Sequence, residues 1–564
     1  MTAYTLGFFS KWRILSLFWV ITLLNSFDTA SQVSNAPKPF SNTYLLKNCH
    51  VIPQPGKTLM NQNILIKDGL IQDVGTNFKI PFDATVIDAD SMYVYAGFID
   101  GYSHTGIAKV EAKETDKKEN NNHNEYEAIG VTPHVLARDK FVSTDKSVAA
   151  LRNIGVTVAH VIPRGGMLSG KSDIISLGEK HVQTQVIKSS VAQHFHLKTA
   201  SGQFPSTIIG VMSKFQEIYK NATNAGQYQQ TYNQNPNGMP RPNFPHALAE
   251  IYPCTQGLMP IIVPAAQTKD IHRMLDLQKK LNFKIILANV QQSWHMIDEI
   301  KKSKAGLFLS LDLPEWKKDT TQNDKKKDID ISNQVFEAKK DSMLAMHYHQ
   351  AGMLEKAGIE FGFSFEGAKP DMVLGQIRTM VDQGLSQEAA LKALTTSPAK
   401  LLSIDKVVGT VEKGKLAHLV LFDKPMFDEK AAIKYVFVDG EPFKMEGKTQ
   451  KKATEIKDNK YLGEWSYSIE IMGSEQGGKL DIKNEGNTYV VEMTSDDSPD
   501  KLVATDVSLE DNKMEFSTTM DMGQEVQLEF NLTFDKDSFT GTVNVGEFGS
   551  FPLKGQLVKG PDFN

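Results

Sequence analysis

Between Ala96 and Ile404, short apolar runs alternate with amphipathic helical patterns, and this alternation constrains the fold more than any other feature of the chain. Candidate strands are Phe98-Ile99, Val156 to Val161, Ile261 to Val263, Lys284 to Ala288, Leu307 to Leu311 and Ile359 to Phe363. Helical patterns such as Asp270 to Leu281 and Ser293 to Lys301 intervene. Alternation of β and α over about 300 residues suits a parallel sheet closed into a barrel. A doubly wound open sheet has the same alternation, and periodicity alone does not separate the two. Leu374, Ile377 and Val381 recur at helical spacing until Gly384 stops the run; Ser386 then supplies a cap, and Pro398 opens another turn.

The flanks read differently. Residues 40–95 and 405–445 are patterned as short strands with tight turns, including a hairpin with Asp68-Gly69 at its tip. Residues 446–460 are charged and read as a linker. Beyond them the chain is nearly all β. Trp465, Tyr467, Ile469 and Ile471 alternate with polar residues, as do Val526, Leu528, Phe530, Leu532 and Phe534. Such alternation implies an antiparallel sheet with one wet face, so residues 461–564 are expected to form a separate sandwich or barrel. Three polar stretches, Lys113 to Asn124, Asn221 to Asn243 and Lys317 to Asp328, read as solvated loops; the first two would follow barrel strands, where covering segments often sit.

With 564 residues and 40% apolar content the chain can build a sizeable core. A net charge of −5 gives no electrostatic surface for nucleic acid. Lys11 and Arg13 precede an apolar run from Ile14 to Leu24 and a small, polar region ending near Ala30 and Ser31. This order matches a secretory signal peptide over residues 1–31, so the protein is expected to be exported, periplasmic or extracellular. The apolar run is shorter than the ~20 residues that span a bilayer, and no transmembrane segment is expected after signal removal. Cys49 and Cys254 are too few and too distant for a zinc motif or a disulfide framework, and are expected as separate buried thiols.

Ala96-Gly97-Phe98-Ile99-Asp100-Gly101-Tyr102-Ser103-His104 resembles the first-strand signature of the amidohydrolase superfamily, P-G-[F/L]-I-D-x-H-x-H. Gly155-Val156-Thr157-Val158 is similar to the G-[V/I]-T-T segment of the next strand. Ser397-Pro398-Ala399-Lys400-Leu401-Leu402 looks like N-P-A-[K/R]-x-L. Gly409 to Phe422 looks like G-x-[I/V]-x-x-G-K-x-A-D-[L/F]-V, with departures at Leu416 and His418. The order and spacing of the four are more specific than any one. The resemblance spans Tyr44 to Pro442, and its nearest relatives look like the imidazolonepropionase-like group. It implies a (β/α)8 barrel over 96–404 and a small composite β-sandwich from 40–95 with 405–445. It also implies hydrolysis of non-peptide C–N bonds by a divalent metal, zinc or similar, which lowers the pKa of bound water toward ~7.

Carried over residue by residue, that site is incomplete. The first-strand histidine pair falls on Tyr102 and His104, and a phenol with pKa ~10 is a poor replacement for imidazole. The fifth-strand histidine should follow Ile261-Ile262-Val263, where the chain has Pro264-Ala265-Ala266-Gln267. The sixth should follow Ile285-Ile286-Leu287, where it has Ala288-Asn289-Val290. The eighth-strand Asp corresponds to Glu366. His194 and His196 share a face of an extended segment and are the best alternative ligands beside His104; His347 and His349 diverge on a helix. Arg164 to Ser172 carries the letters of a phosphate loop, but an extended segment follows where a helix is required. It looks instead like the family's Gly-rich loop after the second strand.

These residues imply catalytic roles for Glu366, as general base, and Tyr102, as donor to an oxyanion. They imply substrate binding by Arg164, Lys171 and His104, and either no metal or one divalent ion on His104, His194 and His196. The leading expectation is an exported member, non-catalytic or weakly active, that binds a small molecule or supports an active partner subunit or homo-oligomer. An atypical amide hydrolase using His104 and Glu366 is the second. The third is a binding or adhesion module in the C-terminal β domain, using Trp465, Tyr467 and Phe551.

Overall fold

The computed structural model describes residues 42–108, 125–198, 204–314, 331–445, 459–471, 474–485, 488–496, 498–504, 507–521, 525–545 and 549–560. The expected signal peptide and the stretches 113–124 and 317–328 lie outside the described residues. The chain divides into two compact units, Met1–Met445 and Glu446–Asn564.

The first unit contains a TIM-barrel-like domain. Strands Ile261–Pro264, Ile285–Val290, Gly306–Ser310 and Gly362–Ser364 are joined in parallel, and Gln193–His194 pairs in parallel with the first of them. Phe98–Ser103 and Val156–Val161 form the other parallel pair. The eighth strand closes on the first: Phe365 N donates to Asp100 Oδ1 at 3.1 Å, and Ser364 Oγ donates to the Tyr102 carbonyl at 2.8 Å.

The third barrel position departs from the (β/α)8 expectation. It is filled by Gly170–Lys171 and Asp173–Ser176, which run antiparallel to the strands on either side. The cause is length. Only residues 162–169 link the second strand to this one, and a parallel crossover takes about a dozen residues or more.

Every residue of the first two barrel strands is buried, as doubly covered strands require. Phe308 fills the barrel interior against strands one and eight. A Cβ on Gly101 would lie 2.0 Å from its ring and one on Gly362 2.8 Å away. The first-strand signature therefore needs glycine at 101 for close approach, whatever its chemistry.

Both flanks of the barrel meet in one eight-stranded sheet. Its order is Glu441–Lys444, Ile433–Val438, Leu419–Phe422, Tyr93–Ala96, Thr43–Gln54, Lys57–Lys67 and Leu70–Gly75, with Thr85–Asp88 also on Thr43–Gln54. Asp68 and Gly69 both have positive φ, 51° and 80°, which suits the mirror-image hairpin turn. Cys49 lies in this sheet's core and Cys254 in the barrel core. Both are free, and burial pushes each thiol up to about 12.

One polar stretch departs from the loop expectation. Residues 221–234 are not a loop but the second half of the helix Ile208–Gln234. Phe215, Ile218, Tyr219, Ala222 and Ala225 are buried at spacings of three and four. The Gln- and Asn-rich composition describes only the wet face of that helix, and the prolines that break it begin at Pro236.

The second unit is a nine-stranded antiparallel meander whose first and last strands, Gly463–Ile471 and Gly549–Lys559, pair with each other. Its core holds Trp465, Tyr489, Phe516, Phe530, Phe534 and Phe539. Trp465 is fully buried, and its Nε1 donates to the Tyr461 carbonyl at 3.1 Å. Tyr467 and Phe551 pack against the same core. The aromatic residues that suggested a contact surface therefore hold the sheet together.

Candidate functional site

The expected site residues sit where the barrel strands end. Tyr102 is on the first strand and His104 just beyond it; Arg164 follows the second; Ser169 precedes the third; His194 ends the fourth and His196 lies two residues on; Glu366 follows the eighth. The strands bring Tyr102, His104, Arg164, His194, His196 and Glu366 into one constellation.

Its centre is a hydrogen-bonded chain. Tyr102 Oη lies 3.1 Å from His194 Nε2, and His194 Nδ1 lies 2.6 Å from Ser169 Oγ. Ser169 Oγ donates to the Pro163 carbonyl at 2.8 Å. All three side chains are buried, Tyr102 and His194 each 2% exposed and Ser169 1%. The His104 ring stands edge-on to both, 5.7 Å from the Tyr102 centroid and 6.1 Å from that of His194. His104 Nδ1 donates to the Ile162 carbonyl at 2.8 Å, and its backbone N donates to Glu366 Oε2 at 2.8 Å. Arg164 Nη1 stands 4.0 Å from Glu366 Oε1.

Burial sets the protonation states. It pushes the Tyr102 phenol up, and the Glu366 carboxylate adds to this. It pushes His194 well below the usual imidazole range, with neighbouring His104, His196 and His160 and the Lys198 charge acting in the same direction. His196 is lowered to about 4, first by burial and then by Lys198 and His104. His104 is lowered by burial, against the opposing pull of Glu366. These imidazoles are neutral at neutral pH, and the phenol keeps its proton.

Asp100 organises the mouth from below. It is fully buried, and its Oδ1 accepts from Tyr102 N at 3.0 Å as well as from Phe365 N. One carboxylate oxygen thus fixes the strand ends that carry Tyr102 and Glu366. Its Oδ2 has no partner among the described residues. Burial raises it to about 7, against the hydrogen bonds from Ser103, Tyr102 and Phe365. His160 fills the second strand in the same way, with Nδ1 on the Gly101 carbonyl and Nε2 on Ser172 Oγ.

Lys171 is turned to another task. Its ammonium pairs with Glu250 of the helix His246–Thr255, and His246 Nε2 lies 3.3 Å from the other oxygen of that carboxylate. Sequence reasoning also missed three participants. Ser169 holds His194; Ser364 locks the first strand to the eighth; Asn289, at the sixth-strand end, places Oδ1 3.2 Å from Ser364 Oγ. Alternation gives no signal for Ser169, since Lys171 turns to Glu250 and Asp173 to the backbone N–H groups of Arg138 and Ser190.

A divalent ion fits this donor set poorly. Both nitrogens of His194 are engaged by hydroxyl groups, and Tyr102 is a neutral phenol. Arg164 brings a fixed cation beside Glu366. The fifth-strand end carries Pro264 and Ala265, without a donor side chain. Among the described residues, no three His, Cys, Asp or Glu side chains are grouped to hold a metal ion. The neutral acceptors and the Glu366 carboxylate can instead hydrogen-bond a polar guest, and Glu366 can take a proton.

Comparison with known proteins bears on this barrel. A family model described as the amidohydrolase family matches residues 293–443. A 5-methylthioadenosine/S-adenosylhomocysteine deaminase of Pyrococcus furiosus is 33% identical over 72 residues, which is 13% of this chain and 17% of the deaminase. The solved structure of an amidohydrolase from Thermotoga maritima is similar with a TM-score of 0.57 and 20% identity, over 71% of this chain and 100% of that one. The last likeness is one of fold.

Proposed function

We propose that this chain is a member of the amidohydrolase superfamily, a reading supported by the family model over residues 293–443, and that its barrel mouth is a small-molecule site from which the family's metal-assisted hydrolysis of C–N bonds has been lost or reduced to a trace. One observation carries this reading. His194 has one ring nitrogen on Tyr102 and the other on Ser169, so the best-placed imidazole has no lone pair left for an ion. A catalytic zinc takes three protein ligands and an open position. His104, His196 and Glu366 remain, but among the described residues no three such side chains are grouped to hold an ion. On this reading the protein, exported by its amino-terminal segment, either binds a small molecule or supports an active relative, as a partner subunit or within a homo-oligomer.

The deciding measurement is metal per chain in protein purified without chelator or histidine tag, followed by turnover of a panel of linear and cyclic amides. The expected result is far less than one metal per chain and no amide turnover above background. A tight stoichiometric ion together with amide hydrolysis would overturn the reading.

A second reading rests on Glu366. Its carboxylate is held by the His104 N–H and approached by Arg164, an arrangement suited to a general base in a metal-free hydrolase. It requires that any amide turnover vanish in Glu366→Gln. Unchanged turnover in that variant removes it.

A further inference from the structure

We infer that the barrel mouth receives hydrogen-bond donors, so that its guest presents N–H groups (an ammonium, an amidinium or an amide nitrogen) rather than an oxyanion. The inference deepens the metal-free reading and rests on it, since an ion would compete for the same lone pairs.

The argument is a count of protons. A backbone carbonyl only accepts, so Ser169 spends its one hydroxyl proton on the Pro163 carbonyl. Towards His194 Nδ1, 2.6 Å away, Ser169 Oγ must then accept, and Nδ1 carries the ring proton. His194 is buried among other imidazoles and near the Lys198 charge, and is neutral. Its Nε2 is therefore bare and takes the proton of Tyr102 Oη at 3.1 Å. Tyr102 is left with lone pairs only. The same count fixes His104. Its Nδ1 proton goes to the Ile162 carbonyl, which leaves Nε2 bare.

The third group is the Glu366 carboxylate. One of its oxygens takes the His104 N–H, and the other is met by Arg164 only at 4.0 Å, so acceptor capacity remains. Tyr102, His104 and Glu366 are thus all acceptors, and the Arg164 guanidinium among them is directed at the Ile107 carbonyl, 3.3 Å from its Nε, and at Glu366. The oxyanion-donor role expected for Tyr102 from sequence is reversed, because its proton is committed to His194. Ser169 acts here as a positioning residue: it touches no ligand but sets the tautomer that decides what Tyr102 offers.

The test uses full-length, metal-free protein with isotopically labelled histidine, and ring-nitrogen NMR to distinguish bare from protonated positions. His104 and His194 should both carry the proton on Nδ1. In Ser169→Ala, His194 should become a mixture of tautomers while His104 is unchanged. Methylammonium should perturb the bare nitrogen of His104 at about tenfold lower concentration than acetate, the size of one charge-assisted hydrogen bond. A proton on Nε2 of either histidine, a stronger response to acetate, or no response to either ion overturns the inference. Wild-type protein alone decides the tautomer, so a variant that fails to fold does not obscure the result. Metal content of the same sample separates the failures. A stoichiometric metal sinks the parent reading, whereas the wrong tautomer in metal-free protein sinks only this one.

Discussion

The barrel mouth has two unlike halves. The ends of strands one to four and eight carry Tyr102, His104, Arg164, Ser169, His194, His196 and Glu366; hydrogen bonds of 2.6 to 3.1 Å link Tyr102 to His194, His194 to Ser169 and the His104 N–H to Glu366. The end of strand five carries Pro264 and Ala265, and strand six finishes with Ala288, Asn289 and Val290. Yet the pairing of strands five and six is regular through Pro264 and Ala288. The wall of the barrel is thus independent of the chemistry at its rim. Backbone pairing and buried apolar side chains hold a strand in place even when its last residue has no polar group to offer.

The strongest challenge to this contrast is a change beneath both halves. Phe308→Ala should cost about 4 kcal/mol through the cavity it leaves. Urea unfolding of the first unit should show it, with the second unit unaffected; a loss below about 1 kcal/mol would mean that the shared wall is not what supports the rim. Asp100→Ala comes next. It strands the backbone N–H groups of Tyr102 and Phe365 and should cost about 3 kcal/mol.

Asp100→Asn keeps an acceptor for both N–H groups and tests the charge alone. The folded carboxyl is raised from 3.8 to about 7, so the folded state holds this proton more tightly than the unfolded chain. Its contribution to stability is complete below about pH 4 and is lost as pH rises through 7. Wild-type protein should therefore lose stability across that window relative to Asp100→Asn. Parallel pH profiles would refute the assignment.

Tyr102→Phe should cost about 1 kcal/mol, the value of one hydrogen bond, and should move the His194 ring-nitrogen resonances. Pro264→Ala, on the apolar half, should change stability by about 0.5 kcal/mol or less and leave methylammonium binding as it was. If this last variant weakened binding as much as Tyr102→Phe, the two halves would not be functionally distinct.

Much of this was legible from sequence because the signals were local. Tyr102 and His104 fall within one strand signature, and His194 and His196 declare a shared face by alternation. What escaped depends on distant partners. Lys171 reads as a free cation beside a Gly-rich loop until Glu250, 79 residues away, is found against it. The antiparallel third strand follows from a link whose length is visible but whose ends were not. The helix through Gln234 was hidden because its polar face outnumbers the apolar residues that fix it. Trp465 and its neighbours alternate as either a surface or a core would, and only the closure of the meander decides between them.

The composite sheet has a consequence for the order of events during folding. Ala96 pairs with Leu419 across the entire barrel, and closing a loop of that length costs about 5 kcal/mol in chain entropy. That cost is met only once the barrel has shortened the effective loop. The flanking strands should therefore dock late and, on unfolding, leave together. Partial denaturation would then expose the paired edges at Tyr93–Ala96 and Leu419–Phe422 before it opens the mouth, so aggregation would begin at the strap rather than at the site.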